Sequence, residues 1–287
     1  MPTRRPAALA DVAPLLELYH VYDVAELGQP EMEAGDIRAM IETDTGDSIV
    51  VEHGGRLIAF ADAADSGEIE TVVHPEHPEA ADLQRELLSW AVGTARARGA
   101  QRLEHFTGPK PDGGARLLAE AGFEHARTVW RMRRELGGDL PEPVLPAGVQ
   151  VRPFDADRDG RTVWALVQHG FDGTYGSHRR PFEEWALFSL GPERDAICAY
   201  DGDELVAVAT TGPRAGEGHV NQLTVDPAHR GRGLALALLH ESFRRDAAAG
   251  HPATSLTVDG ENEQARRLYD KAGMVVTAEF HRWERDA

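Results

Sequence analysis

Apolar residues recur along this chain in two rhythms, one at helical spacing and one in short runs broken by glycine. After Arg4 and Arg5, the positions Val12, Leu15, Leu16 and Tyr19 fall on one helical face, so the N-terminus reads as a strand and then an amphipathic helix. Asp11 and Glu17 interrupt the apolar character there, which separates this segment from a signal peptide. In the second half, a strand at 149–154 leads into a helix, and a further helical segment covers 181–190. A hairpin at 196–212, a strand at 218–226, a helix at about 232–249, a strand at 254–259, a helix at 262–272 and terminal strands complete the pattern.

The same pattern occurs twice. DSIVVEHGGRLIAFA (47–61) matches DAICAYDGDELVAVA (195–209) at an offset of 148, with Asp47/Asp195, Gly54/Gly202, Leu57/Leu205 and Ala59/Ala207 in register. VVHPEH (72–77) matches TVDPAH (224–229) at an offset of 152, and LLAEAGF (117–123) matches LYDKAGM (268–274) at 151. Three ordered matches at nearly constant offset mark an internal duplication. Gly and Pro cluster in LGGDLPEPVLPAG (136–148), where periodicity is lost. The expected layout is a first domain at 1–136, a linker at 137–148 and a second domain at 149–287. Each is expected to be an α/β (α+β) layer, a mixed, mostly antiparallel sheet flanked by helices.

Chemistry concentrates in the second copy. HVNQLTV has strand composition, DPAH makes a turn, and Arg230-Gly231-Arg232-Gly233-Leu234-Ala235 opens a helix. A Gly-rich turn at a helix N-terminus converges several backbone N–H groups on one point, a natural cradle for a pyrophosphate. Farther on, Asn262 is placed to cap a helix, Gly273 to stop it, and Tyr269 lies near its end.

Together these segments resemble the GCN5-related N-acetyltransferase (GNAT) superfamily. Arg230, Gly233 and Ala235 meet its (Arg/Gln)-x-x-Gly-x-(Gly/Ala) pattern, and Asn262, Ala265, Tyr269, Gly273 and Met274 meet its second motif. The resemblance implies an acetyl-CoA-dependent N-acetyltransferase acting by direct attack of an amine, with a small-molecule amine as acceptor. It implies that residues 230–235, Gly231, Arg232 and Leu234 included, hold the coenzyme A pyrophosphate. It also implies that Leu223, Thr224 and Val225 pair with the pantetheine arm, that Asn262 contacts that arm, and that Tyr269 protonates the leaving thiolate. For the base that deprotonates the amine, His219 is the first candidate, expected on the strand face of Asn221 and Leu223; Glu183, Glu184 and His178 are alternatives. Other readings of the same motifs are an acyl-CoA sensor without catalysis and a protein N-acetyltransferase.

The first copy lacks this equipment. Pro78 to Leu83 stand where Arg230 to Ala235 would be, so both arginines and both glycines are gone and two carboxylates, Glu79 and Asp82, are there instead; Leu118 stands at the position of Tyr269. A degenerate first copy followed by an equipped second one is similar in layout to the tandem acetyltransferases of the mycothiol synthase group. The Pro-Glu-Pro of the linker is also similar. Where that group carries a glutamate near the start of the central strand, this chain has His219.

Composition narrows the picture further. A net charge of −18 argues against nucleic acid, no apolar run is long enough for a membrane span, and a cytoplasmic location is expected. No metal-binding pattern is evident. The sole cysteine, Cys198, lies in the apolar run AICAY and reads as inert packing.

Overall fold

The computed structural model describes residues 2–43, 46–110, 113–177, 179–191 and 193–287. They form two compact units, one reaching to Val129 and including Ala278–Ala287, the other Trp130–Thr277. Among the described residues no helix is long and apolar enough to cross a membrane.

The first unit contains β1 (Thr3–Pro6), α1 (Val12–Leu27), α2 (Ala34–Glu42), β2 (Gly46–His53), β3 (Arg56–Ala64) and β4 (Ile69–Val73). There follow α3 (Ala80–Ala97), β5 (Arg102–Thr107), α4 (Gly113–Glu120) and β6 (Glu124–Glu135), the last of which ends in the second unit. Strands β1 to β4 pair antiparallel in sequence order. Alternation along β2, β3 and β4 sends Val50, Phe60 and Val72 to the face covered by α1, where they pack with Leu15, Leu18 and Tyr19. On the opposite face Ala59, Ala61 and Val73 pack against Leu83 and Leu87 of α3.

The second unit begins with β7 (Val149–Arg152), α5 (Ala156–Phe171), α6 (Phe182–Ser189), β8 (Asp195–Asp201), β9 (Glu204–Arg214) and β10 (Glu217–Val225). It continues with α7 (Leu234–Ala248), β11 (Ala253–Asp259) and α8 (Glu263–Lys271), and β12 (Val275–Asp286) starts in it. Strands β7 to β10 are antiparallel neighbours, and β10 pairs parallel with β11. One core lies between the sheet and α7, built on Ile197, Val206, Val220, Leu238 and Phe243. Another lies under α5 and α6, built on Val163, Trp185, Cys198 and Val208. Cys198 is wholly buried there, and burial pushes its thiol up to about 12, an inert packing position.

Helix α7 starts at Leu234, two residues later than its apolar pattern suggests, because Gly231 and Gly233 take left-handed conformations at φ 76° and 87°.

Candidate active site

Strand β10 is the axis of the site. Its parallel pairing with β11 covers only Gly218–Val220 opposite Thr254–Leu256, although β10 continues to Val225 and β11 to Asp259. Beyond Val220 the strands therefore part, and alternate backbone groups of Asn221–Val225 point into the gap without a strand partner on that side.

The gap is bordered by the N-terminus of α7. Its N-cap is Gly233, which supplies no side-chain cap, so the first N–H groups of the helix, from Leu234 to Leu236, stay open to a ligand. A Cβ built on Gly231 or Gly233 would meet nothing within 4 Å, so their requirement is backbone conformation alone. Upstream, Asp226 Oδ1 accepts the Ala228 N–H at 2.8 Å and fixes the turn. The Arg230 Nε donates to the Val225 carbonyl at 3.2 Å, and the Arg232 guanidinium donates to Asp201 at 3.2 Å. The loop thus presents backbone N–H groups between two arginines held by their own neighbours.

Tyr269 of α8 packs with Leu223, Val225 and Leu236 against one core, on the sheet face of α7. Burial pushes its phenol up to about 12, so it is a proton carrier at neutral pH. No hydrogen bond to its hydroxyl occurs among the described residues. Asn262 is the N-cap of α8, its Oδ1 accepting the Ala265 N–H at 3.0 Å.

Residues 162–274 match the acetyltransferase (GNAT) family. Over 251 residues the chain is 32% identical to a mycothiol acetyltransferase from Thermobispora bispora, covering 83% of this chain and 81% of that one. The chain belongs to the GNAT family.

A second relative, a mycothiol acetyltransferase from Kineococcus radiotolerans, is 33% identical over 257 residues, 82% of this chain and 81% of that one. Among solved structures, a GCN5-related N-acetyltransferase from Sphaerobacter thermophilus superposes at a TM-score of 0.73 with 24% identity, over 99% of this chain and 95% of that one. A tandem GNAT protein from the clavulanic acid biosynthesis pathway superposes at 0.75 with 16% identity, over 100% and 98%. As a GNAT chain of two GNAT-like domains, the protein is an acyltransferase that moves acetyl groups to an amine.

This GNAT chain departs from the sequence expectation at His219. Strand alternation would put it on the face of Leu223, but a β-bulge at Asn221 breaks the register between Val220/Thr211 and Gln222/Thr210. His219 therefore shares a face with Gln222 and Thr224, under α5 and α6, while Leu223 and Val225 join the α7 face. Its ring is buried, with Nδ1 2.9 Å from Ser255 Oγ, which in turn donates to the Gly218 carbonyl. That chain is satisfied when Nδ1 carries the proton and Nε2 the lone pair. Burial, and then the charges of Arg214, Arg131 and Arg194, hold His219 well below the usual histidine range, so it is neutral. Of the other base candidates, Glu183 pairs with Arg161 at 2.9 Å and Glu184 lies 3.7 Å from Arg180; His178 lies outside the described residues.

Sequence reasoning passed over Trp185, Gln222 and Arg194. The Trp185 Nε1 donates to Gln222 Oε1 at 3.0 Å, and an Arg194 guanidinium nitrogen donates to Asn221 Oδ1 at 3.3 Å. The Asn221 Nδ2 is buried with no partner among the described residues. The available signal was the adjacent polar pair Asn221-Gln222 inside the strand, which no simple alternation accommodates.

The first unit differs at each matching place. The turn into α3 contains no left-handed residue, Glu79 is its N-cap and Asp82 lies in its first turn. The Gln84 carboxamide donates to the Thr71 carbonyl at 3.2 Å and to Thr71 Oγ1 at 2.6 Å, and Thr71 Oγ1 lies 3.0 Å from His105 Nε2 of β5. Side chains of the unit itself thus bond the strand backbone that corresponds to Leu223.

Proposed function

We propose that the second unit carries catalysis, transferring the acetyl group of acetyl-CoA to the primary amine of a small molecule. The observation that supports this most is the parting of β10 and β11 directly beside the uncapped N-terminus of α7. An extended, amide-rich ligand arm fits such a gap as an added strand, and a diphosphate fits the N–H groups of residues 231–236.

In this reading the amine attacks the thioester carbonyl as backbone N–H groups of Asn221–Val225 polarise it. A C–N bond forms, the C–S bond breaks, and Tyr269 gives its phenolic proton to the departing sulfur. His219 receives the amine proton on Nε2. Asn262 keeps α8 in place by its cap and orients Tyr269. The relatives' name, mycothiol acetyltransferase, favours a small acceptor over a protein. The first unit is assigned no coenzyme A, since Glu79 and Asp82 oppose a diphosphate and Gln84 occupies the Thr71 carbonyl.

The test is calorimetric titration with acetyl-CoA followed by free-thiol release over a panel of amines. A single site lost on replacing Gly233 by Val, with release stimulated by one amine class, is the expected result. Binding without stimulated release would leave a binding protein, and two equal sites would overturn the assignment of the first unit.

A further inference from the structure

The two copies differ sharply in one row of side chains. In the second unit Ala196, Thr210 and Gln222 lie side by side across β8, β9 and β10, on the face covered by α5. The row is neutral and satisfied, since Gln222 Oε1 accepts from Trp185 at 3.0 Å and from Thr210 at 3.4 Å. The matching positions of the first unit, at the offsets of 148 and 152 already noted, are Ser48, Asp62 and Glu70. They lie side by side across β2, β3 and β4, on the face covered by α1. The next row on that face is the apolar layer Val50, Phe60 and Val72, so two carboxyls stand at the edge of a hydrophobic core.

Above them is Tyr19 of α1, its ring 5.9 Å from that of Phe60. Its side chain is 1% exposed, and its hydroxyl, close to Glu70, has no hydrogen-bond partner of good geometry among the described residues. Ser48 Oγ donates to Asp62 Oδ1 at 2.5 Å, which satisfies one carboxylate oxygen and leaves the other. Asp62 and Glu70 each keep part of their residue surface exposed. The charges that act on Glu70 come from Asp62, Glu68 and Asp23, and those on Asp62 from Glu68 and Asp47, carboxylates without exception. Asp23 is itself engaged, accepting the N–H groups of Glu31 and Met32 at 2.8 and 2.9 Å.

We infer that Asp62, Glu70 and Tyr19 form a binding site in the first unit for an organic primary ammonium group. An ammonium offers three donors, and the row supplies three oxygens around a missing positive charge: two carboxylates and a phenol that accepts while its own proton turns to Glu70. A metal ion fits less well, because no group of three or more metal-ligating side chains occurs among the described residues. Without the cation, burial and the neighbouring carboxylates raise Glu70 to about 8 and Asp62 to about 6. An arriving ammonium ionises both, so binding expels a proton from Glu70 at neutral pH.

The experiment is calorimetric titration of the full chain with ethanolamine at pH 7 and low salt, in two buffers of different protonation enthalpy. Saturable binding with proton release is expected, weakened about tenfold or more by Asp62→Asn or Glu70→Gln, and not competed by tetramethylammonium, which has no N–H. Far-ultraviolet circular dichroism and the unfolding transition of each variant at pH 4, where both carboxyls are protonated in the wild type, serve as the control for folding of the first unit. Absence of saturable binding, binding without proton release, or full affinity in the Asp62→Asn/Glu70→Gln double variant would each overturn the inference and leave the acetyl-transfer reading untouched.

Discussion

The indole Nε1 of Trp185 donates to Oε1 of Gln222 at 3.0 Å, which ties helix α6 to the strand whose far edge is open. Trp185 is 2% exposed, so the bond lies in the core under α5 and α6 and not at the surface. Replacing Trp185 by Phe leaves Gln222 with only the longer bond from Thr210, at 3.4 Å, and removes packing volume as well. The expected cost is about 2–4 kcal/mol of unfolding free energy, read by urea denaturation. Acetyl-CoA affinity should persist, because the proposed phosphate loop opens α7, which packs on the opposite face of β10. An equal loss of cofactor affinity would show that the two faces of the strand are not independent.

Gly233 offers a different kind of test. A Cβ there meets nothing, but φ is 87°, so Gly233→Ala is opposed by backbone conformation alone. Stability should fall by about 1 kcal/mol. If the left-handed turn is what aims the helix N–H groups, acetyl-CoA affinity should fall much further than stability does. Parallel titration and thermal melting separate the two, and a variant with weakened stability but normal affinity would remove this loop from the site.

Close packing between α5 and β10 predicts a rescue. A Cβ on Gly170 would lie 1.9 Å from Thr224 Oγ1, so Gly170→Ala should destabilise the second unit by about 1–3 kcal/mol. Trimming the obstacle with Thr224→Ala should recover part of that loss in a double-mutant cycle. Simple additivity would show that the helix shifts away from the strand in place of clashing with it.

Much of the fold was legible in the sequence, in part because the copies repeat. The Gly54/Gly202 turns, the paired strands around them and the left-handed turn at Gly231 and Gly233 follow from local chemistry that short windows carry. The placement of His219 did not, because a single extra residue at Asn221 inverts which side chains face which core, and a bulge is set by tertiary packing. Trp185 was invisible for a related reason. Its partner Gln222 is 37 residues away, and nothing local distinguishes a bonded indole from any core tryptophan. The acidic row of the first unit was hidden likewise, since Asp62 and Glu70 become neighbours only once β3 and β4 are in register.

Tyr269→Phe isolates the proposed acid. With its phenol raised to about 12 by burial, Tyr269 stays protonated through neutral pH and supplies no alkaline limb to the rate profile below about pH 11. The Phe variant should lose about 10²–10⁴-fold in kcat with acetyl-CoA affinity nearly intact. Unchanged kcat would assign the leaving-group proton to another donor, such as water.

The acidic row also carries a stability prediction of definite sign. Glu70 and Asp62 have folded-state values raised to about 8 and about 6, above those of an unfolded carboxyl, so the folded state binds protons more tightly than the unfolded one. Their contribution to stability is fully present below about pH 4 and is lost as pH rises through about 4 to 8. Glu70→Gln mimics the protonated form at every pH. It should therefore raise the melting temperature at pH 8 and change it little at pH 4, with Asp62→Asn reaching its full effect earlier, by about pH 6. Added ethanolamine should narrow the difference between wild type and Glu70→Gln at pH 8, because the cation stabilises only the ionised pair. Stability lost on Glu70→Gln at pH 8 would mean that the carboxylate already has a positive partner in the folded chain, and that the row is a closed structural feature.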